Sequence, residues 1–178
     1  MTPPTTLRLS HRRMFAVMPN DEFDRFHKRK NPRLRYYDYA KQNYYFVTIC
    51  THEKRCIYGN PQRLSQLGQI AYTALEEVPK HFSDITIDKF VIMPNHVHAI
   101  VIVQRYGTDL SVVIGQYKAH VTKQIRKLLP HLQVWQTSFH DHVIRNQTDY
   151  ARIWNYIDKN PARWEDDCFY CDSTKDDT

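Results

Sequence analysis

Hydrophobic and polar positions follow β periodicity at four places along the chain and helical periodicity at three. Tyr44-Tyr45-Phe46-Val47-Thr48-Ile49-Cys50 is rich in β-branched and aromatic residues and reads as a strand. A polar turn follows at Gly59, Asn60 and Pro61. Then Leu64, Leu67, Ala71, Ala74 or Leu75, and Val78 recur every three or four residues, the spacing of an amphipathic helix. Ile85 to Met93 is a second strand and His96 to Val103 a third. The Pro94-Asn95 turn between them makes a hairpin. Leu110 to Leu129 reads as a second helix. Leu110, Val113, Tyr117, Val121, Ile125 and Leu128 lie on one face, and Gln116, His120, Lys123 and Lys127 on another. Phe139 to Ile144 is a fourth strand. Asn146 or Thr148 can cap a third helix that runs to Asn160, where Pro161 is expected to stop it.

The order β-α-β-β-α-β with one helix appended is the ferredoxin-like pattern. It predicts an α+β fold with an antiparallel sheet and two helices on one face. That fold hosts many activities, so function has to be read from sites.

Composition narrows the class. With 178 residues the chain is roughly one domain, and 42% hydrophobic with 25% charged residues is a globular balance. No apolar run approaches the ~18 residues of a membrane helix. The opening stretch MTPPTTLRLSHRRMF lacks the apolar core of a signal peptide. Four cysteines are too few for a secreted disulfide scaffold of this size. The expectation is a cytoplasmic protein with reduced thiols.

Charge divides the chain into three parts. Residues 1–41 carry ten Lys/Arg against four Asp/Glu, with prolines throughout, and read as a basic N-terminal arm. Residues 165–178 carry one Lys against six acids and read as a frayed acidic tail. Residues 42–164 form the domain between them, and most of its positive excess sits in 104–127. A basic arm plus a basic segment points to a polyanion, nucleic acid first. In the arm, Arg29, Lys30, Arg33 and Arg35 lie close to Tyr36, Tyr37 and Tyr39, a mixture that pairs with phosphates and stacks on bases. The same tyrosines would equally serve to pack a lead-in segment on the domain.

The sharpest chemical feature is Pro94-Asn95-His96-Val97-His98. Residues two apart on a strand share a face, so His96 and His98 present two imidazoles side by side, able to hold one divalent ion. His140-Asp141-His142 offers the same spacing, and spacing alone does not rank the two pairs. Asp141 could orient one of its neighbours. On the third helix, Tyr156 and Asn160 are four apart and share a face. They could serve one metal-bound phosphate, or simply pack and end the helix. Cys168-Phe169-Tyr170-Cys171 is a C-x-x-C, but zinc sites usually need two close pairs, and the upstream pair Cys50 and Cys56 is separated by five residues while the C-x-x-C lies in the acidic tail. No phosphate loop, dinucleotide-binding glycine pattern or nucleophile elbow is present.

These motifs coincide in order with those of a known family. The chain resembles the REP-associated tyrosine transposases of the HUH single-tyrosine superfamily, where HUH denotes His-hydrophobic-His. The resemblance runs through Arg33 to Tyr39 into Tyr45 to Cys50, then Met93 to His98. It continues through Trp135-Gln136 with Phe139 to Asn146, then Asp149-Tyr150 with Tyr156 to Pro161. It implies a metal-dependent DNA transposase and endonuclease that cleaves and rejoins single-stranded DNA at hairpin-forming palindromic repeats. It implies Tyr156 as nucleophile, and Mg²⁺ or Mn²⁺ held by His96, His98 and Asn160. The wider superfamily has Gln at the position of Asn160, and the shorter side chain reaches less far. The resemblance settles the choice between the histidine pairs. It leaves His140, His142 and Arg152 as residues that support the site or touch DNA. Arg29, Lys30, Arg33, Arg35, Gln116, His120, Lys123 and Lys127 are the DNA-binding candidates. The implied partners are single-stranded DNA and DNA hairpins, met by a monomer or homodimer at the bacterial nucleoid. The alternative is a catalytically inactive protein that binds structured nucleic acid, for example as a repressor.

Overall fold

The computed structural model describes residues 37–170. The elements follow the predicted order. They are β1 (Asn43–Cys50), a short ladder of β2 (Gly59–Asn60) and β3 (Arg63–Leu64), α1 (Gln66–His81), β4 (Ile85–Met93) and β5 (His96–Val103). Then come α2 (Leu110–Ile125), β6 (His140–Ile144) and α3 (Gln147–Lys159). The main sheet has the order β4-β5-β1-β6 and is antiparallel throughout, as a ferredoxin-like fold requires.

β1 is central, and its residues Tyr45 to Cys50 are all buried because both faces of the sheet are covered. On one face, Tyr45, Val47 and Ile49 of β1 and Val97, Ala99, Val101 and Val103 of β5 pack beneath α1 and α2. On the other, Phe46, Ile100 and Ile144 meet Ile153 and Ile157 of α3. Fully burying each isoleucine is worth about 1.5–3 kcal/mol. Strand alternation then fixes the histidines. His96 pairs with Cys50 and His98 with Thr48, on the face that α3 covers.

Four local expectations change. α2 ends at Ile125, and Leu128 (45% exposed) and Leu129 (47%) continue as turns outside the buried stripe. Pro161 does not stop the chain's helical course. It occupies the first turn of a 3₁₀ segment, Asn160–Asp166, where a missing N–H costs nothing. That segment carries residues 165–170, expected to fray, back onto the α3 face, and Phe169 is buried there. Finally, Cys56 is disulfide-bonded, so the expectation of reduced thiols fails for Cys56. A disulfide depends on close approach in the folded chain, which spacing does not reveal. Cys171 lies outside the described residues. Among the described residues no helix is long and apolar enough to cross a membrane.

Candidate active site

His96 and His98 are completely buried, and their Nε2 atoms face each other at 2.9 Å. Each ring is gripped from behind. Asn95 Oδ1 lies 2.8 Å from His96 Nδ1, and Thr48 Oγ1 lies 2.9 Å from His98 Nδ1. Two imidazole nitrogens turned toward each other at this separation suit neighbouring ligand positions on one ion with bonds of about 2.0–2.1 Å. The backing hydrogen bonds are the kind that orient metal-binding histidines.

α3 brings Tyr156 to the pair. Its Oη lies 3.2 Å from His98 Nε2 and 3.4 Å from Asp167 Oδ2. The ring meets Phe46 edge-on, with centroids 6.1 Å apart. Burial raises the Tyr156 phenol far above its usual value, and the charges of Asp167 and Cys168 raise it further. The helix is tied down along its length. Asn146 caps it by accepting from Asp149 N (2.8 Å), and Ile153 and Ile157 anchor its buried side. Tyr150 donates to Asp88 (2.6 Å), and Lys89 pairs with Asp158 (2.6 Å).

Asn160 caps the C-terminus of α3 and is 4% exposed. Its Nδ2 donates to Asp167 Oδ2 at 2.7 Å, while its Oδ1 is buried with no hydrogen-bond partner among the described residues. Asp167 is the residue sequence reasoning missed. One ligand atom from each of His96, His98 and Asp167 lies within 4.8 Å of the other two. In sequence Asp167 belongs to an acidic run beyond the expected helix stop, and nothing there distinguishes it from Glu165 or Asp166.

The second histidine pair has other duties. His140 and His142 also lie on the α3 face, registered against Thr48 and Phe46. His142 Nε2 lies 2.7 Å from Asp149, which also accepts from Arg152 at 2.7 Å, so these residues bind β6 to α3. Burial would raise the Asp149 carboxyl, but the hydrogen bonds from His142 and Arg152 outweigh it and hold the carboxyl low. Burial pushes the His140 ring down. Strand alternation turns Asp141 to the opposite face, where Tyr39 donates to it at 2.7 Å.

The proposed DNA-binding face of α2 is not beside the site. α2 packs on the opposite face of the sheet from the histidines. Gln116 and His120 line a groove of about 150 Å³ against Glu77 and His81 of α1. Lys123 is exposed, and Lys127 donates to Gln124 at 2.6 Å. Arg29, Lys30, Arg33 and Arg35 lie outside the described residues.

A ferredoxin-like sheet with a histidine pair on a central strand and a tyrosine on the covering helix is the arrangement that the resemblance to the tyrosine transposases implies. The chain belongs to the IS200-like transposase family, whose family model matches residues 38–160. It is 28% identical over 125 residues to the REP-associated tyrosine transposase of Escherichia coli K12, covering 70% of each chain. It is 33% identical over 171 residues to an uncharacterized Haemophilus influenzae protein, covering 82% of this chain and 95% of that one. Among solved structures it resembles a REP-associated tyrosine transposase bound to a REP hairpin. The TM-score is 0.56 at 25% identity, covering 74% of this chain and 73% of the other.

Proposed function

We propose that this transposase cleaves and rejoins single-stranded DNA at hairpin-forming repeats through a phosphotyrosine at Tyr156. The observation that carries the reading is the placement of Tyr156 Oη 3.2 Å from His98 Nε2, within a cluster of two imidazoles and a carboxylate. The Tyr156 oxygen attacks the scissile phosphorus, and its proton passes to a nearby base. Asp167 Oδ2, 3.4 Å away, is the carboxylate positioned to receive it. The bond from phosphorus to the 3′ oxygen breaks. A free 3′-hydroxyl remains on one strand and a 5′-phosphotyrosine on the other. That ester preserves the phosphodiester, so attack by a second 3′-hydroxyl rejoins DNA without a nucleotide cofactor.

His96, His98 and Asp167 would hold the divalent ion, with the buried Asn160 Oδ1 as a further oxygen donor. When bound there, the ion supplies charge neutralisation at the phosphate oxygens. Imidazoles alone would also suit Zn²⁺, whereas the carboxylate and amide oxygens favour harder ions such as Mg²⁺ and Mn²⁺. We assign the basic residues 1–41 to recognition of the hairpin and residues 42–164 to chemistry, with Asp167 brought to the site by the segment that returns onto α3.

The test is incubation of labelled single-stranded hairpin DNA with the full chain and Mn²⁺, followed by a denaturing gel. A covalent protein–DNA adduct is expected. Tight binding without an adduct would instead indicate an inactive protein that binds structured nucleic acid.

A further inference from the structure

The two histidines are backed by chemically different groups, and the difference assigns them different roles. Asn95 is completely buried. Its Nδ2 donates to two backbone carbonyls, Lys54 O at 3.1 Å and Phe169 O at 2.7 Å. Carbonyl oxygens only accept, so the amide cannot be turned around. Its Oδ1 therefore faces His96 Nδ1, 2.8 Å away, and an amide oxygen can only accept. His96 must carry its proton on Nδ1. In the neutral ring Nε2 is then a bare lone pair aimed at His98.

His98 is read from the His96 lone pair. Its Nε2 lies 2.9 Å from that lone pair and 3.2 Å from Tyr156 Oη. A lone pair cannot donate, so His98 Nε2 is the donor to His96, the Tyr156 hydroxyl donates to Asp167 Oδ2 at 3.4 Å, and His98 Nδ1 accepts from the Thr48 hydroxyl at 2.9 Å. The hydrogen-bonded arrangement therefore holds His98 in the tautomer that cannot bind an ion through Nε2. A hydroxyl can donate or accept, so Thr48 also serves the opposite tautomer.

We propose that Asn95 locks His96 as a preset ligand, while Thr48 is a two-way partner that lets His98 exchange tautomers when an ion enters. The proton leaves His98 Nε2 and one is held at Nδ1, where it is donated to Thr48 Oγ1. Both rings stay neutral, and no net proton is gained or lost. The Thr48 hydroxyl hydrogen rotates away. The tautomer exchange rests on the reading of His96 and His98 as an ion-binding pair; the lock by Asn95 does not.

The Asn95 lock also reaches the surrounding chain. Glu53 and Lys54 both have left-handed backbone angles, φ 53° and 56°, costly for residues other than glycine. Asn95 Nδ2 holds the Lys54 carbonyl of that turn, and with the same group holds Phe169, whose ring lies 4.8 Å from His96. One side chain thus ties the turn after β1, the ligand ring and the returning C-terminal segment together.

The experiment is long-range ¹H–¹⁵N correlation of the imidazoles in the full-length labelled protein, without ion and then titrated with Mg²⁺ and with Zn²⁺ as a second diamagnetic probe. Without ion, His96 should appear as the Nδ1–H form and His98 as Nε2–H. At saturation both should be Nδ1–H. Thr48→Val should weaken ion binding about 10–100-fold, and Thr48→Ser should restore it. Asn95→Ala should give His96 as a tautomer mixture. Asn95→Asp can still accept from Nδ1 but cannot donate to Lys54 O and Phe169 O. It should keep the Nδ1–H form of His96, which a merely structural role for Asn95 would not require. An Nε2–H form of His96 in the free protein overturns the lock, as does an unchanged His96 tautomer in Asn95→Ala. An ion that binds with His98 still Nε2–H overturns the exchange. If neither ion perturbs either ring, the metal reading and the exchange both fall, while the ion-free spectra still decide the lock.

Discussion

Tyr156 Oη and His98 Nε2 lie 3.2 Å apart although 58 residues separate them. The contact joins α3 to β5 across the face of the sheet opposite α1 and α2, so it exists only because α3 lies there. Ile153 and Ile157 set the helix on Phe46, Ile100 and Ile144, and the tyrosine one turn beyond Ile153 falls over the histidine pair.

Tyr156→Phe should abolish the covalent DNA adduct and leave hairpin binding and the thermal unfolding midpoint nearly unchanged. Tyr150→Phe is the control. Its hydroxyl is hydrogen-bonded to Asp88, which together with burial pushes the phenol up to about 12, and it should still form adduct. Adduct from Tyr156→Phe on a denaturing gel would move the nucleophile elsewhere.

His96→Ala should remove Mn²⁺-dependent cleavage and lower ion affinity by about tenfold or more, read by calorimetric titration. His140→Ala should leave ion affinity largely intact. The opposite result would shift the metal to the β6 pair.

Asp167→Asn should weaken ion binding about 10–100-fold. It should also lower the Tyr156 phenol, because the Asp167 charge is, after burial, a leading cause of its raised value. Ultraviolet titration of tyrosinate, compared with the Tyr156→Phe variant, would detect this. An unchanged tyrosine titration would show that the Asp167 charge does not raise the phenol.

Acid should weaken the fold partly through Asp84. Hydrogen bonds from Thr108 N and Oγ1, both 2.9 Å, hold its carboxyl below the usual range against the effect of burial. A depressed carboxyl stabilises the native state above its unfolded value of about 3.9, and that contribution disappears as pH falls through the folded value. Urea unfolding from pH 7 to pH 3 should therefore show a steeper loss of stability in the native chain than in Asp84→Asn. Parallel curves would rule out this group as a source of acid sensitivity.

Neutralising Arg29, Lys30, Arg33 and Arg35 should weaken hairpin binding. The log–log salt slope should become shallower by about 0.7–0.9 for each DNA phosphate that the arm no longer neutralises. Equivalent changes at Gln116, His120, Lys123 and Lys127 provide the comparison, since α2 packs on the far face of the sheet from Tyr156. Salt titrations monitored by fluorescence anisotropy would rank the two elements. Unchanged affinity and slope after neutralising the arm would show it to be passive.

The order of the elements and the facing of His96 and His98 were legible in the sequence. Strand periodicity is local, and residues two apart on a strand must share a face. Tyr156 and Asn160 were legible for a similar reason, as neighbours one helical turn apart. The tertiary structure alone decided which layer each face entered. Periodicity says that Gln116 of α2 and Tyr156 of α3 belong to helices covering a sheet, but not that they cover opposite sides. Asp167 was equally invisible. Pro161 reads as a helix stop, yet it is tolerated in the first turn of a 3₁₀ segment, and the continued winding returns the chain to His96 and His98. Local rules determine direction and periodicity. Which distant atoms meet depends on long-range packing of apolar faces, as where Ile153 and Ile157 seat α3 and so deliver Tyr156 to His98.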